Sequence, residues 1–262
     1  MTGSDTRAEW EANAPAWIEM SRAGADRYRD LVNTPAFLAA LPDIDGLRCL
    51  DVGCGEGHNT RLLRERGAVL TALDISAPFV IAARDASRVS GPPIDHVHAD
   101  ATRLPFADGT FDAATAFMSV MDTPDPSAVL RDVARVLRPG GWIQFSITHP
   151  TSTTPLRKWI DDDDGVRTWL AIGDYFDEGT RTDTWTFSTA PAEMKARHAP
   201  FSVTVNRRTL ASWINLVVEA GLTIEHVVEP AASEAVAAEH PDVADTRIIP
   251  FFLVIRARRP AM

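Results

Sequence analysis

Between residues 47 and 148 short apolar runs alternate with helix-compatible stretches, and this alternation restricts the fold more than any other feature. LRCLDVG (47–53) reads as a buried strand, HNTRLLRER (58–66) as a helix stopped by Gly67, AVLTALDIS (68–76) as a second strand and APFVIAARDASR (77–88) as a second helix. After a glycine-proline break at 91–93 come two more strands, DHVHAD (95–100) and FDAATAFMSV (111–120). SAVLRDVARVL (127–137) then sets Val129, Leu130, Val133, Val136 and Leu137 at helical spacing. Pro139, Gly140 and Gly141 end that helix before the strand WIQFSIT (142–148). Five strands with helices between them predict a parallel sheet covered on both faces.

The rhythm breaks over 149–205, which carries four successive aspartates (161–164) and a high aromatic load, and then returns. Thr209 can cap a helix striped by Leu210, Trp213, Ile214, Val217 and Val218 and stopped by Gly221. Two strands, LTIEHVVE (222–229) and IIPFFLVIRARR (248–259), finish the sheet as a hairpin-like pair. The expected division is therefore an N-terminal helical cover (1–45), a core (46–148 and 206–262) and an inserted lid (149–205). Trp10, Trp17, Ile18 and Tyr28 are the apolar anchors of the cover.

LDVGCGEGHNT (50–60) joins the first strand to its helix with glycines at 53, 55 and 57. A glycine-rich turn at a helix N-terminus lets a polar or anionic ligand approach backbone N–H groups. The dinucleotide fingerprint would need its third glycine at position 58, which is His58; the spacing here is the tighter GxGxG. Asp51 adds a carboxylate that repels a pyrophosphate and favours a ligand bearing an ammonium group, as S-adenosylmethionine does. Asp74, ending the second strand, can accept from both hydroxyls of a ribose, and Asp100, ending the third, from an adenine amino group, with Ile75 and Ala101 offering apolar contact to the base.

On these residues the chain resembles the class I S-adenosylmethionine-dependent methyltransferases. LDVGCGEG matches that family's first motif, ALDIS its ribose-binding strand end, HADATRLPFADGTFD its adenine loop and the approach to the fourth strand, and VLRPGGW its turn into the fifth. The resemblance implies an α/β fold with a doubly wound, seven-stranded, mostly parallel sheet whose last strand is antiparallel. It implies S-adenosyl-L-methionine as cofactor and S-adenosyl-L-homocysteine as product. The implied cofactor site comprises Asp51, Gly53, Cys54, Gly55, Gly57, Asp74, Ile75, Ser76, Asp100, Ala101, Thr102, Phe117 and Met118, with Trp17 or Arg22 closing over the methionine end. WEANAPAW and WINLVVEAGL further resemble bacterial enzymes acting on metabolites, including those of secondary metabolism.

The acceptor is expected to be a small molecule methylated on oxygen or nitrogen. Net charge is −10, from 36 acidic and 26 basic side chains, which argues against a nucleic-acid partner. FMSVMDTP (117–124) lacks the PPY-like run of amino-directed enzymes, and an aromatic lid suits a ring-bearing or apolar metabolite, although those aromatics can equally form the insertion's own core. Because the sulfonium already activates the methyl group, a general base is needed only where the acceptor must lose a proton. His149 at the fifth strand's end is the leading candidate, with Tyr175 and His198 on the lid behind it. No metal is expected: Cys49 and Cys54 lack ligand spacing, and Asp161 to Asp164 read as a solvated loop. Without an apolar run of membrane-spanning length or a signal-like N-terminus, a cytoplasmic location is expected. Two other readings stay open: a non-catalytic cofactor-binding or regulatory protein, and a nucleotide-dependent oxidoreductase, disfavoured by the glycine spacing and Asp51.

Overall fold

The strands that carry continuous apolar runs lie at the centre of a single seven-stranded sheet, because only there are both faces covered. In the computed structural model, which describes residues 3–89 and 91–261, the first half of the core is β1 (Arg48–Val52), α3 (His58–Glu65), β2 (Val69–Asp74), α4 (Ala77–Ser87) and β3 (Asp95–His98). The second half adds β4 (Phe111–Phe117), α5 (Pro126–Val136), β5 (Leu137–Thr148), α7 (Leu210–Glu219), β10 (Thr223–Val228) and β11 (Phe252–Arg258). The spatial order is β10-β11-β5-β4-β1-β2-β3. β1 to β5 are parallel, and β11 is antiparallel to both β5 and β10. The fold is thus the doubly wound, mostly parallel arrangement expected, with the chain's last strand reversed.

Register determines where ligands can sit. Asp51 pairs with Ala72 on one side and Thr115 on the other, so β1, β2 and β4 end at one edge. The winding direction changes between β1 and β4, and a crevice opens above that switch point. Leu50, Val52, Ile143, Phe145 and Ile147 pack on one side of the sheet with Val129, Leu130 and Val133 of α5. Cys49, Leu70, Ala113 and Trp142 pack on the other with Leu63 of α3.

Two elements differ from expectation, while the N-terminal segment is helical as expected. β5 begins at Leu137, five residues early, because the RPGG segment stays extended: Leu137 pairs with Phe111, and Gly140 and Gly141 exchange backbone hydrogen bonds with Arg259. The alanine-rich connection before β11 folds into α8 (Glu234–Glu239) and a 3-10 turn (Pro241–Arg247). The N-terminal cover is a long α1 (Gly3–Arg22), then a π-helical turn (Arg29–Asn33) running into α2 (Thr34–Ala40).

The segment after β5 forms two hairpins. β6 (Leu156–Asp161) pairs with β7 (Arg167–Gly173) across an exposed turn containing Asp162 to Asp164; β8 (Gly179–Trp185) pairs with β9 (Phe201–Arg207), with α6 (Ala192–Arg197) between them. The second hairpin lies on α1, where Trp17, Trp185, Phe187 and Phe201 form an aromatic cluster with centroid separations of 5.0–6.4 Å. The inserted aromatics divide accordingly: these form a core shared with α1, whereas Trp169 and Phe176 are exposed. Among the described residues no helix is long and apolar enough to cross a membrane.

Candidate active site

The strand ends, the N-terminal cover and the second hairpin enclose one cavity of about 770 Å³. Its floor is the glycine loop. Gly53 has φ +72°, and an added Cβ would meet Ser119 Cβ at 2.4 Å, so only glycine allows the loop to pass beneath the segment after β4. Gly57 is different: buried at the start of α3, it lies where a Cβ would press on Ala83 of α4 at 3.0 Å. The third glycine therefore serves helix–helix packing and does not line the cavity.

Asp51 is 1% exposed, and its two oxygens accept from Thr60 Oγ1 (2.6 Å) and Thr115 Oγ1 (2.9 Å). It thereby ties the first turn of α3 to β4. Burial pushes its carboxyl up to about 6, against the pull of those two hydroxyls. Asp74 accepts from the N–H groups of Gly55 (2.8 Å) and Ser76 (2.9 Å). Burial raises it to about 6 as well, with the nearby Asp51 adding to the rise. Asp100 Oδ1 accepts from both the N–H and the hydroxyl of Thr102 at 2.8 Å, leaving Oδ2 without a hydrogen bond to a described residue. Burial pushes the Cys54 thiol well up, so this side chain fills the loop as a neutral group.

Of the residues expected at a cofactor site, Trp17, Asp51, Gly53, Cys54, Gly55, Asp74, Ile75, Asp100, Ala101, Phe117 and Met118 line this cavity, while Gly57, Ser76, Thr102 and Arg22 do not. Ser76 and Thr102 sit behind it as partners of Asp74 and Asp100. Arg22 is held outside by Glu56 (3.3 Å) and the Ala82 carbonyl (3.0 Å), fastening α1 to the glycine loop. Met118 takes φ +53°, a left-handed conformation unusual for a side-chain-bearing residue, and its N–H bonds back to Ser146 O at 3.0 Å.

The expected bases are placed elsewhere. His149 is 4% exposed, and its Nε2 meets Glu229 Oε1 at 2.9 Å while Nδ1 meets Thr151 Oγ1 at 2.7 Å. Those bonds turn the ring toward the end of β10, and His149 does not line the cavity. Burial lowers its pKa despite Glu229. The Tyr175 hydroxyl accepts from the N–H of Leu210 at 2.9 Å, which spends it on capping α7 outside the cavity. His198 meets Glu19 Oε2 at 2.6 Å on the outer side of α1 and is likewise not part of the lining.

Sequence reasoning missed several lining residues. Asn33, completely buried, donates to Ser146 Oγ at 3.1 Å and leaves Oδ1 unpaired. Asp122 closes a 3-10 turn (Val120–Asp122) after β4 and is 7% exposed with Oδ1 unpaired. Asp183 and Trp185 on β8 and Asn206 on β9 come from the insertion, and only tertiary packing brings them here. The sequence signal for Asp122 was its place just beyond a strand end, a position where polar residues are ordinary.

Comparison with known proteins gives the same picture from outside. Residues 50–145 match a family model described as "Methyltransferase domain". A solved S-adenosylmethionine dependent methyltransferase from Mesorhizobium loti is 32% identical, with a TM-score of 0.71 over 86% of this chain and 96% of that one. Malonyl-[acyl-carrier protein] O-methyltransferase of Pectobacterium atrosepticum is 32% identical over 54% of this chain and 55% of its own. Ubiquinone biosynthesis O-methyltransferase of Chromobacterium violaceum is 36% identical over 42% of this chain and 48% of its own. The match thus spans about half the length of these curated relatives.

Proposed function

Since the chain belongs to the class I S-adenosylmethionine-dependent methyltransferases, we propose that it transfers a methyl group from S-adenosylmethionine to an oxygen or nitrogen atom of a small metabolite, of the kind secondary metabolism makes. The observation that carries this reading is the single cavity that joins Asp74 and Asp100 at the strand ends to Trp185 and Asp183 beneath the inserted hairpin. About 770 Å³ falls within the range of pockets that enclose small ligands.

The residues present fit the cofactor. Asp100 Oδ2, free of described partners, can accept from an adenine amino group, and Ile75 and Ala101 offer apolar contact to the base. Asp74 has lone pairs to spare for ribose hydroxyls beyond its two backbone bonds. Asp51 and the unpaired Asn33 Oδ1 favour an ammonium group near the glycine loop. Bound there, S-adenosylmethionine supplies a methyl carbon activated by a positively charged sulfur. The chain's task is then to orient the acceptor and exclude water, which suits a roof made of α1 and the β8–β9 hairpin.

Residues 1–45 act in this reading as a cover, and 149–205 as a lid whose second hairpin closes the acceptor side. The named relatives are O-methyltransferases, one for malonyl-[acyl-carrier protein] and one of ubiquinone biosynthesis, which supports an oxygen acceptor within this reading. Two free cysteines suit a reducing cytoplasm. The test is direct: S-adenosylhomocysteine should raise the melting temperature and NADH should not, and a metabolite panel should yield S-adenosylhomocysteine from S-adenosylmethionine. Binding without turnover on any acceptor would favour a regulatory protein instead, and stabilisation by NADH alone an oxidoreductase.

A further inference from the structure

We propose that the acceptor enters the cavity with a basic nitrogen, held as an ammonium by Asp122 with Asp183 beside it; this rests on reading the cavity as a methyl-acceptor site. Asp122 is more than nine-tenths buried and lines the cavity, yet its carboxyl makes no hydrogen bond and no ion pair among the described residues. A buried carboxylate without a partner is costly, and native structures seldom keep one without a use for it.

Its surroundings make the omission more pointed. The charged groups that act on it are Asp183 on β8 and Glu9 on α1, both acids. Glu9 is already occupied by Thr204, accepting from its N–H (3.0 Å) and its hydroxyl (2.7 Å). Arg181, the cation on the same strand as Asp183, is held by Asp183 Oδ1 at 2.6 Å. No cationic side chain among the described residues pairs with Asp122. Burial and these like charges keep its proton on well above the ordinary carboxylate range until a cation arrives.

The fold nevertheless holds Asp122 in place. Asn206 of β9 donates to the carbonyls of Met121 (3.3 Å) and Thr123, the residues on either side, and the Asp122 N–H bonds to Ser119 O at 3.2 Å. A hydroxyl ligand would satisfy the unpaired oxygen of the protonated acid, whereas an ammonium group also supplies the positive charge that lets Asp122 ionise. Trp10, Trp17 and Trp185 line the same cavity, and indole rings favour both an aromatic body and a cation. Among the described residues no group of three or more ligating side chains could hold a metal ion, so an organic cation is the fitting counter-charge.

The test uses the full chain saturated with S-adenosylhomocysteine, titrated calorimetrically with amine and hydroxyl pairs of matched shape: tryptamine and tryptophol, tyramine and tyrosol, benzylamine and benzyl alcohol. At least one amine should bind about tenfold tighter than its alcohol, as a charge-assisted hydrogen bond allows. Asp122→Asn and Asp183→Asn should erase that preference while leaving the affinity for S-adenosylhomocysteine and S-adenosylmethionine unchanged, which also certifies their folding. The proposal is overturned if no amine is preferred, if Asp122→Asn keeps the preference, or if that variant weakens the methyl donor instead, which would make Asp122 a partner of the sulfonium. Cofactor binding with methyl transfer only to neutral acceptors would remove this inference and leave the methyltransferase reading standing; failure to bind S-adenosylhomocysteine would remove both.

Discussion

A methyl group placed on Gly53 would sit 2.4 Å from Ser119 Cβ and 2.8 Å from its Oγ, because Ser119 lies over the loop to donate to the Val52 carbonyl at 2.6 Å. Gly53→Ala therefore carries two penalties: a left-handed φ of +72°, worth roughly 1–2 kcal/mol for a side-chain-bearing residue, and a backbone shift at the cavity floor. Urea unfolding should lose about 2 kcal/mol or more, and S-adenosylhomocysteine affinity should fall by about tenfold. Because the clash is with one side chain, Gly53→Ala combined with Ser119→Gly should bind better than Gly53→Ala alone. An additive double variant would mean the strain lies in φ alone.

Asp51 and Asp74 both sit at about 6, and the sign of that shift differs between ligand binding and folding. An ionised Asp74 accepts hydrogen bonds from ribose, and a protonated one accepts fewer. Affinity for S-adenosylhomocysteine should consequently decline as pH falls from 7.5 to 5, and Asp74→Asn should bind more weakly at neutral pH with a flatter profile. For folding, each carboxyl binds its proton more tightly in the native state than at the unfolded value of about 3.9, so its cost is fully present above about pH 6 and fades as pH falls toward 4. Titration calorimetry across pH, with denaturant unfolding of the ligand-free protein beside it, reads both signs.

The sheet was legible because β1, β2, β4 and β5 are apolar runs of strand length closed by glycines and acids, a pattern set by local chemistry. Asp74 was legible for the same reason, since a strand end is a place in sequence as well as in space, and Asp100, expected to end the third strand, lies two residues past its end at His98 but still at the same edge of the cavity. Asp122, Asn206 and Asp183 were not: their burial depends on a hairpin formed some 60 to 85 residues later returning over the β4–α5 loop, which no local pattern encodes. His149 misled because its backbone does end β5, while Glu229, 80 residues away, decides where the ring points.

His149 should accordingly matter for stability more than for turnover. Removing the ring takes the partner from Thr151 and opens a space at a site 4% exposed, while the half-exposed Glu229 stays in water, which should cost about 1–3 kcal/mol. Once an acceptor is in hand, His149→Ala should keep its rate constant within about threefold, the scale of indirect effects. A loss of a hundredfold or more, with the variant folded, would return the base to this position.

Asn206 offers the sharpest separation of the two halves of the cavity. Its amide bridges Met121 and Thr123 from β9, while Asp74, Asp100 and the glycine loop follow β2, β3 and β1, beyond β4 in the sheet order, and no hydrogen bond among the described residues joins them to β9. Asn206→Ala leaves two carbonyls beside the cavity without their donor and frees the hairpin to separate from the loop that carries Asp122. The expected result is a rise in the acceptor's KM of about tenfold with S-adenosylhomocysteine affinity unchanged, since one lost amide bridge to two carbonyls is worth roughly that factor. Steady-state kinetics against both substrates decide it: equal losses for donor and acceptor would mean that the lid and the cofactor site move as one piece.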